Sequence, residues 1–273
     1  RILEVFKKYD VRYFFYNGGN DSMDTCDKIS KYMQKSGYDI NVIGIPKTID
    51  NDLCGTDHCP GYGSAAKYIA NSIMEVNRDA VIYGSPLVIV VEIMGRNAGW
   101  LAAASKLAEV GGYGADLIYL PELPFSYEKF KSDVKKVTDR KKICVVAVSE
   151  GIRFESGKYV GDDGSMTDAF GHSQLGGVCG VLKAKVKELG LKCKAIELNI
   201  LQRCAAHCAS ETDVEESFAA GRTAVKAAVG GETDKMISFK RKDGSVYEIE
   251  YVATPFSAAA NAEKTIPLGW ITD

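Results

Sequence analysis

Residues 87–93 and 143–148 are short runs, apolar but for Glu92 and dominated by Val and Ile. Their length and branching suit strands with both faces buried. Strands of that kind need helices on either side of a parallel sheet, and the chain supplies them in alternation. Strands are expected at 11–16, 40–45, 87–93, 117–120, 143–148 and 195–201. Helices are expected at 22–35, 62–77, 97–109, 126–139, 173–189 and 213–229. Met23, Cys26, Ile29 and Met33 set the period of the first helix, and Gly37 fits its stop. Residues 236–241 and 246–252, parted by Lys242-Asp243-Gly244, form a hairpin. Residues 151–172 carry Gly-Asp-Asp-Gly and no period, and read as a mobile loop. No internal repeat or low-complexity segment is present.

The fold class is therefore α/β, in which ligands bind at the C-terminal ends of strands. Lys and Arg total 34 against 36 Asp and Glu, a net charge of −2. That balance argues against nucleic acid or an anionic membrane as partner, so a phosphate site must be a local gathering of donors and cations. No apolar run reaches the roughly 18 residues of a membrane helix, and no signal peptide is legible. The eight cysteines are scattered without a CxxC pair, as in a reduced cytoplasmic protein rather than a disulfide framework. Cys54, His58 and Cys59 resemble metal ligands, but adjacent His and Cys do not suit one tetrahedral site.

Two motifs carry chemistry. Gly18-Gly19-Asn20-Asp21-Ser22 lies after a strand and before a helix, where glycines admit an anion to free N–H groups at the helix start. Taken alone, it is equally a plain strand-to-helix turn with an N-cap. Gly44-Ile45-Pro46-Lys47-Thr48-Ile49-Asp50-Asn51-Asp52 ends the next strand. A carboxylate that takes a hydroxyl proton needs a fixed loop and a cation for the phosphate. Asp50 and Asp52 are close enough to couple, which pushes one towards a base-like pKa. An Asx-rich turn is the plainer account, and so many convergent groups favour a site.

The two-glycine turn, then "GIPKTIDND", then Glu92-Ile93-Met94-Gly95-Arg96 resembles the phosphofructokinase family. The similarity continues in order through Pro121-Glu122, Ser149-Glu150-Gly151 and Gln202-Arg203. It implies two Rossmann-like three-layer lobes with mostly parallel sheets, the phosphofructokinase fold. Residues 1–80 with about 203–273 would bind the donor phosphate, with Gly19, Asp21 and Lys47 in contact. Residues 81–202 would bind the sugar phosphate. Asp50 resembles the general base for the 1-hydroxyl of fructose 6-phosphate, with Lys47, Thr48, Asp52 and Arg96 assisting. Thr48, Ile49, Asp50, Met94, Gly95, Arg96, Glu150 and Arg203 are the implied substrate contacts, Arg203 gripping the 6-phosphate. A homodimer or homotetramer is also implied.

The donor is the finer question. ATP-using relatives have glycine where this chain has Asp21 and again where it has Lys47. Asp21 repels a nucleotide's α-phosphate, and Lys47 sets a cation beside the transferring group. Both match the members that use pyrophosphate, whose reaction runs in both directions, and neither a Walker motif nor GxGxxG is present. The alternatives are an ATP-dependent phosphofructokinase and a non-catalytic regulatory subunit; Asp50 and Lys47 argue against the latter. Mg²⁺ is implied, and Asn20 stands where most relatives have a ligand aspartate, keeping an oxygen without the charge. Ile200 replaces a common His. Positions where the family has basic residues for the 6-phosphate fall near Lys194 and at Leu87, and a leucine cannot bind phosphate. The family has about one more βα unit upstream, so the chain reads as an internal fragment.

Overall fold

The computed structural model describes residues 1–82, 84–161, 177–259 and 262–272. The elements run α1 (Ile2–Lys8), β1 (Tyr13–Gly18), α2 (Asn20–Lys35), β2 (Asn41–Pro46), α3 (Tyr62–Val81), β3 (Leu87–Ile93) and α4 (Trp100–Ala104). They continue as β4 (Leu117–Tyr119), α5 (Tyr127–Lys141), β5 (Ile143–Ser149), α6 (Val178–Glu188), β6 (Lys192–Glu197) and α7 (Leu201–Cys204). The last are α8 (Glu211–Val229), β7 (Lys235–Arg241) and β8 (Ile249–Pro255). The chain divides into two compact units, Arg1–Gly63 with Ser210–Lys264, and Ser64–Ala209 with Thr265–Asp273. These bounds differ from the division expected near residues 80 and 203: residues 64–80, about 203–209 and those from 265 onward group with the second unit.

In the first unit the sheet order is β1-β2-β7-β8, parallel except for the β7–β8 hairpin. Neighbouring residues point to opposite faces, and each face finds its own cover. Val42 and Met236 pack with Met23 and Cys26 of α2, and with Leu53 and Phe256. Ile43, Ile237 and Phe239 pack on Ala220, Ala224 and Ala228 of α8. That alanine ridge, repeating every fourth residue, lets the helix lie close to the sheet.

The second unit holds four parallel strands in the order β4-β5-β3-β6. Both apolar runs are strands buried along their whole length. Phe130, Val134 and Val137 of α5, with Cys179, Leu182 and Val186 of α6, cover the face made by Val88, Val90, Cys144, Val146 and Val148. The alternate residues Leu87, Ile89, Val91 and Ile93 are buried as well, and α4 packs against β4 and β5.

Some expected elements differ. The helix expected over 97–109 is α only at Trp100–Ala104 and tightens to a 3₁₀ turn over Ser105–Gly111. There Ser105 Oγ donates to the Ala102 carbonyl at 2.6 Å, the local competition that Ser offers a helix backbone. The strand expected over 195–201 runs earlier, and its last residue instead opens α7. The second hairpin strand begins at Ile249 rather than 246. Residues 162–172 of the expected loop and 173–176 of the expected helix lie outside the described residues. Among the described residues no helix is long and apolar enough to cross a membrane, and all eight cysteines are free thiols.

Candidate functional site

In the first unit Gly18 and Pro46, the last residues of β1 and β2, are register partners, so the glycine turn and the acidic loop start side by side. The Lys47 N–H donates to the Gly18 carbonyl at 2.9 Å and ties them together. Gly19 caps α2, and Asp21 lies exposed in its first turn. Asn20 Nδ2 donates to Asp52 Oδ2 at 2.9 Å, while Asn20 Oδ1 is buried with no partner among the described residues. Burial first, and the neighbouring Asp50 second, push the Asp52 carboxyl up to about 6.

The loop also holds itself. Thr48 Oγ1 accepts the Asp50 N–H at 3.1 Å, a turn contact of the plainer kind. Asn51 is buried in the left-handed region (φ 56°) and its Oδ1 accepts the Cys59 N–H at 3.0 Å. Ile49 is half-buried, and Lys47 is exposed at the rim of a cavity of about 290 Å³ lined also by Pro46, Gly61, Asp213 and Phe218. Asp213 Oδ1 accepts the Gly61 N–H at 2.7 Å. His58 has both ring nitrogens taken up, Nδ1 by Asp57 at 2.8 Å and Nε2 by Glu216 at 2.7 Å. Tyr247 donates to Glu216 at 2.5 Å. Glu216 and Tyr247 carried no signal in the sequence around His58.

In the second unit Met94, Gly95 and Arg96 follow β3. Gly95 has φ +127° and would set a Cβ 2.5 Å from the Ala98 carbonyl, so only glycine fits there. The Ser149 hydroxyl donates to the Gly95 carbonyl at 2.5 Å, Glu150 Oε1 accepts the Gly95 N–H at 3.3 Å, and Gln202 Oε1 accepts the Met94 N–H at 3.1 Å. The Arg153 guanidinium donates to the Arg96 carbonyl at 3.4 Å and to Asn97 Oδ1 at 3.0 Å. The backbone of the triplet is thus held from 149–153 and from 202. The guanidinium groups of Arg96, half-exposed, and Arg203, exposed on α7, have no protein partner among the described residues.

A cavity of about 60 Å³ lies at these strand ends, lined by Glu92, Met94, Glu150, Glu197, Asn199 and Gln202. Burial raises the pKa of Glu92, whose Oε2 accepts the Cys179 N–H at 2.8 Å. Leu87 and Lys194 are not brought to this end. Leu87 opens β3, Lys194 pairs with Ile89 four residues before Ile93, and its ammonium meets Asp79 at 3.2 Å.

Gly151 is the tightest of the described glycines of the unit, where an added Cβ would fall 1.9 Å from the Arg96 carbonyl oxygen. Backbone has to move to admit it. Gly151→Ala is expected to cost about 1–3 kcal/mol of stability, read by urea unfolding. An unchanged midpoint would show that the Arg96 turn yields freely.

Two α/β units with parallel strands, each carrying polar loops at its strand ends, define a Rossmann-like α/β protein. It belongs to the phosphofructokinase family, whose sequence model, "Phosphofructokinase", matches residues 1–228. The chain is similar to the pyrophosphate–fructose 6-phosphate 1-phosphotransferase of Halomonas elongata, 44% identical over 277 residues, covering 100% of this chain and 66% of the relative. The enzyme of the same name from Xanthomonas campestris pv. campestris is 47% identical over 271 residues, covering 98% and 65%. The crystal structure of a pyrophosphate-dependent phosphofructokinase from Nitrosospira multiformis superposes with a TM-score of 0.88 at 41% identity, covering 99% of this chain and 65% of that one. The chain thus spans about two thirds of the length of these relatives.

Proposed function

We propose that this protein transfers a phosphoryl group from pyrophosphate to the 1-hydroxyl of D-fructose 6-phosphate, reversibly, as a step of glycolysis. Fructose 1,6-bisphosphate and phosphate are the products. The observation that carries the reading is the paired carboxylates of Asp50 and Asp52, on a loop pinned to a glycine turn, with Lys47 three residues before Asp50 and exposed. The names of the relatives support it.

In the forward direction Asp50 takes the proton of the 1-hydroxyl as that oxygen bonds to phosphorus. The bond between this phosphorus and the bridging oxygen breaks, and phosphate leaves. The Lys47 ammonium attracts the oxygens of the donor, a preorganised charge where negative charge builds. Gly19 lets the donor approach the helix start, and Asp21 disfavours a nucleotide. Thr48, Ile49, Met94 and Gly95 contact substrate, Glu150 accepts from sugar hydroxyls, and Arg96 and Arg203 bind phosphate groups. The family implies Mg²⁺, and the unpartnered buried Asn20 Oδ1 beside Asp52 is a donor set that a hard cation accepts. When bound, the ion would offset charge on the donor oxygens. We also propose, on the resemblance alone, a cytoplasmic homodimer or homotetramer.

The test is formation of fructose 1,6-bisphosphate with Mg²⁺, offering pyrophosphate and ATP in parallel. Product from pyrophosphate alone supports the reading. Product from ATP alone overturns the donor assignment. None from either, with fructose 6-phosphate still bound, favours a regulatory subunit.

The raised Asp52 pKa has a stability consequence. Its folded value of about 6 lies above the unfolded one near 4, so its contribution is present below about pH 4 and is lost as pH rises through 6. Asp52→Asn, which keeps an acceptor for Asn20, is therefore expected to raise Tm at pH 8 and to leave it unchanged at pH 4, without divalent cations. Equal Tm values at pH 8 would show that the carboxylate carries no burial cost.

A further inference from the structure

The loop bearing Asp50 and Asp52 is braced by a segment more than 200 residues later. The Lys264 N–H donates to the Asp52 carbonyl at 2.7 Å, and Glu263 pairs with Leu53 as an antiparallel bridge. The half-buried Lys264 side chain then enters the curl of residues 51–57. Its Nζ donates to the Asp57 carbonyl at 2.7 Å, the Thr56 carbonyl at 3.1 Å and Asn51 Oδ1 at 3.3 Å. Three converging oxygens of separate residues suit an ammonium, which offers three donors from one atom. Asn51 is the residue between the two carboxylates, and its left-handed backbone conformation sets the directions in which its neighbours leave the loop. Its side-chain oxygen receives both Lys264 and the Cys59 N–H, so the ammonium fixes the residue that aims Asp50 and Asp52. Lys264 also lies outside residues 1–228, the part matched by the family's sequence model.

We propose that Lys264 is a positioning residue for the acidic loop: its ammonium holds Asn51 and the 56–57 carbonyls, and through them the orientation of Asp50 and Asp52. The inference rests on the reading of that loop as catalytic. A brace that only adds stability would leave the turnover of folded molecules unchanged.

The experiment compares Lys264→Gln, whose amide still donates and so favours folding, with Lys264→Arg. Amide hydrogen exchange of residues 50–59 and steady-state kinetics with pyrophosphate and fructose 6-phosphate are both read. In Lys264→Gln, exchange across 51–59 is expected to rise at least ten-fold while β1, β2 and β7 stay protected. The kcat per folded molecule falls at least ten-fold, the KM for fructose 6-phosphate stays within two-fold, and Lys264→Arg recovers most of both losses. Wild-type exchange in the Gln variant overturns the proposal. So does a loss of activity that only follows the unfolded fraction. If exchange responds but the unaltered protein forms no product from either donor, the catalytic reading of the loop fails while the brace itself is supported.

Discussion

Asp50→Ser is expected to lower kcat for fructose 1,6-bisphosphate formation by about 10²–10⁴-fold, the range for loss of a positioned general base. Binding of fructose 6-phosphate, followed by calorimetry, should change little, because Met94, Gly95, Arg96, Glu150 and Arg203 are untouched. Asp52 is already engaged by other groups. Its Oδ2 is held by Asn20, and its backbone carbonyl is bound by Lys264. The same variant has a second signature. Asp50 is the larger of the charges that raise Asp52, so its removal draws the Asp52 pKa down from about 6 towards the ordinary range. Carboxyl carbon NMR would follow that change apart from turnover. Undiminished kcat in Asp50→Ser would remove the base assignment.

Lys47→Met is expected to reduce kcat with pyrophosphate by about 10²–10³-fold, equivalent to roughly 3–4 kcal/mol of transition-state stabilisation. The geometry separates the backbone of Lys47 from its side chain. Its N–H is fixed to Gly18, whereas its ammonium is exposed and has no protein partner among the described residues. A cation on a pinned backbone with no carboxylate to satisfy is available to an anionic donor. The protein's net charge of −2 supplies no general attraction for that anion, so local loss is not compensated. Wild-type kcat with pyrophosphate in Lys47→Met would take away the donor argument built on this position.

The sequence made the strands legible where burial is complete. The run 87–93 matches β3 at both ends because both of its faces are covered, which writes an unbroken apolar word into the chain. The two loops were legible for a related reason: their glycines, prolines and acids interrupt the apolar pattern at strand ends. Less was visible where partners are distant. Lys264 meets Asn51 across 213 positions and Glu216 meets His58 across 158, and no local period encodes either. The Cys54-His58-Cys59 cluster shows the cost of reading only neighbours, since the carboxylates that engage His58 include one from α8. The helix expected over 97–109 missed Ser105, whose hydroxyl favours a tighter turn, and α1 went unanticipated.

The interrupted make-up of the first unit bears on how the protein is made. Ile43 of β2 pairs with Lys235 of β7, so at about 5–20 residues per second a ribosome takes about 10–40 s to supply the partner strand. All of Ser64–Ala209, most of the second unit, emerges in that interval. Its four strands lie between residues 87 and 197, so that sheet is complete before β7 exists. The newborn chain therefore carries the edge of β2 unpaired while all the strands of the other sheet have already been made. Mispairing at that edge, and any chaperone that guards against it, act in that interval.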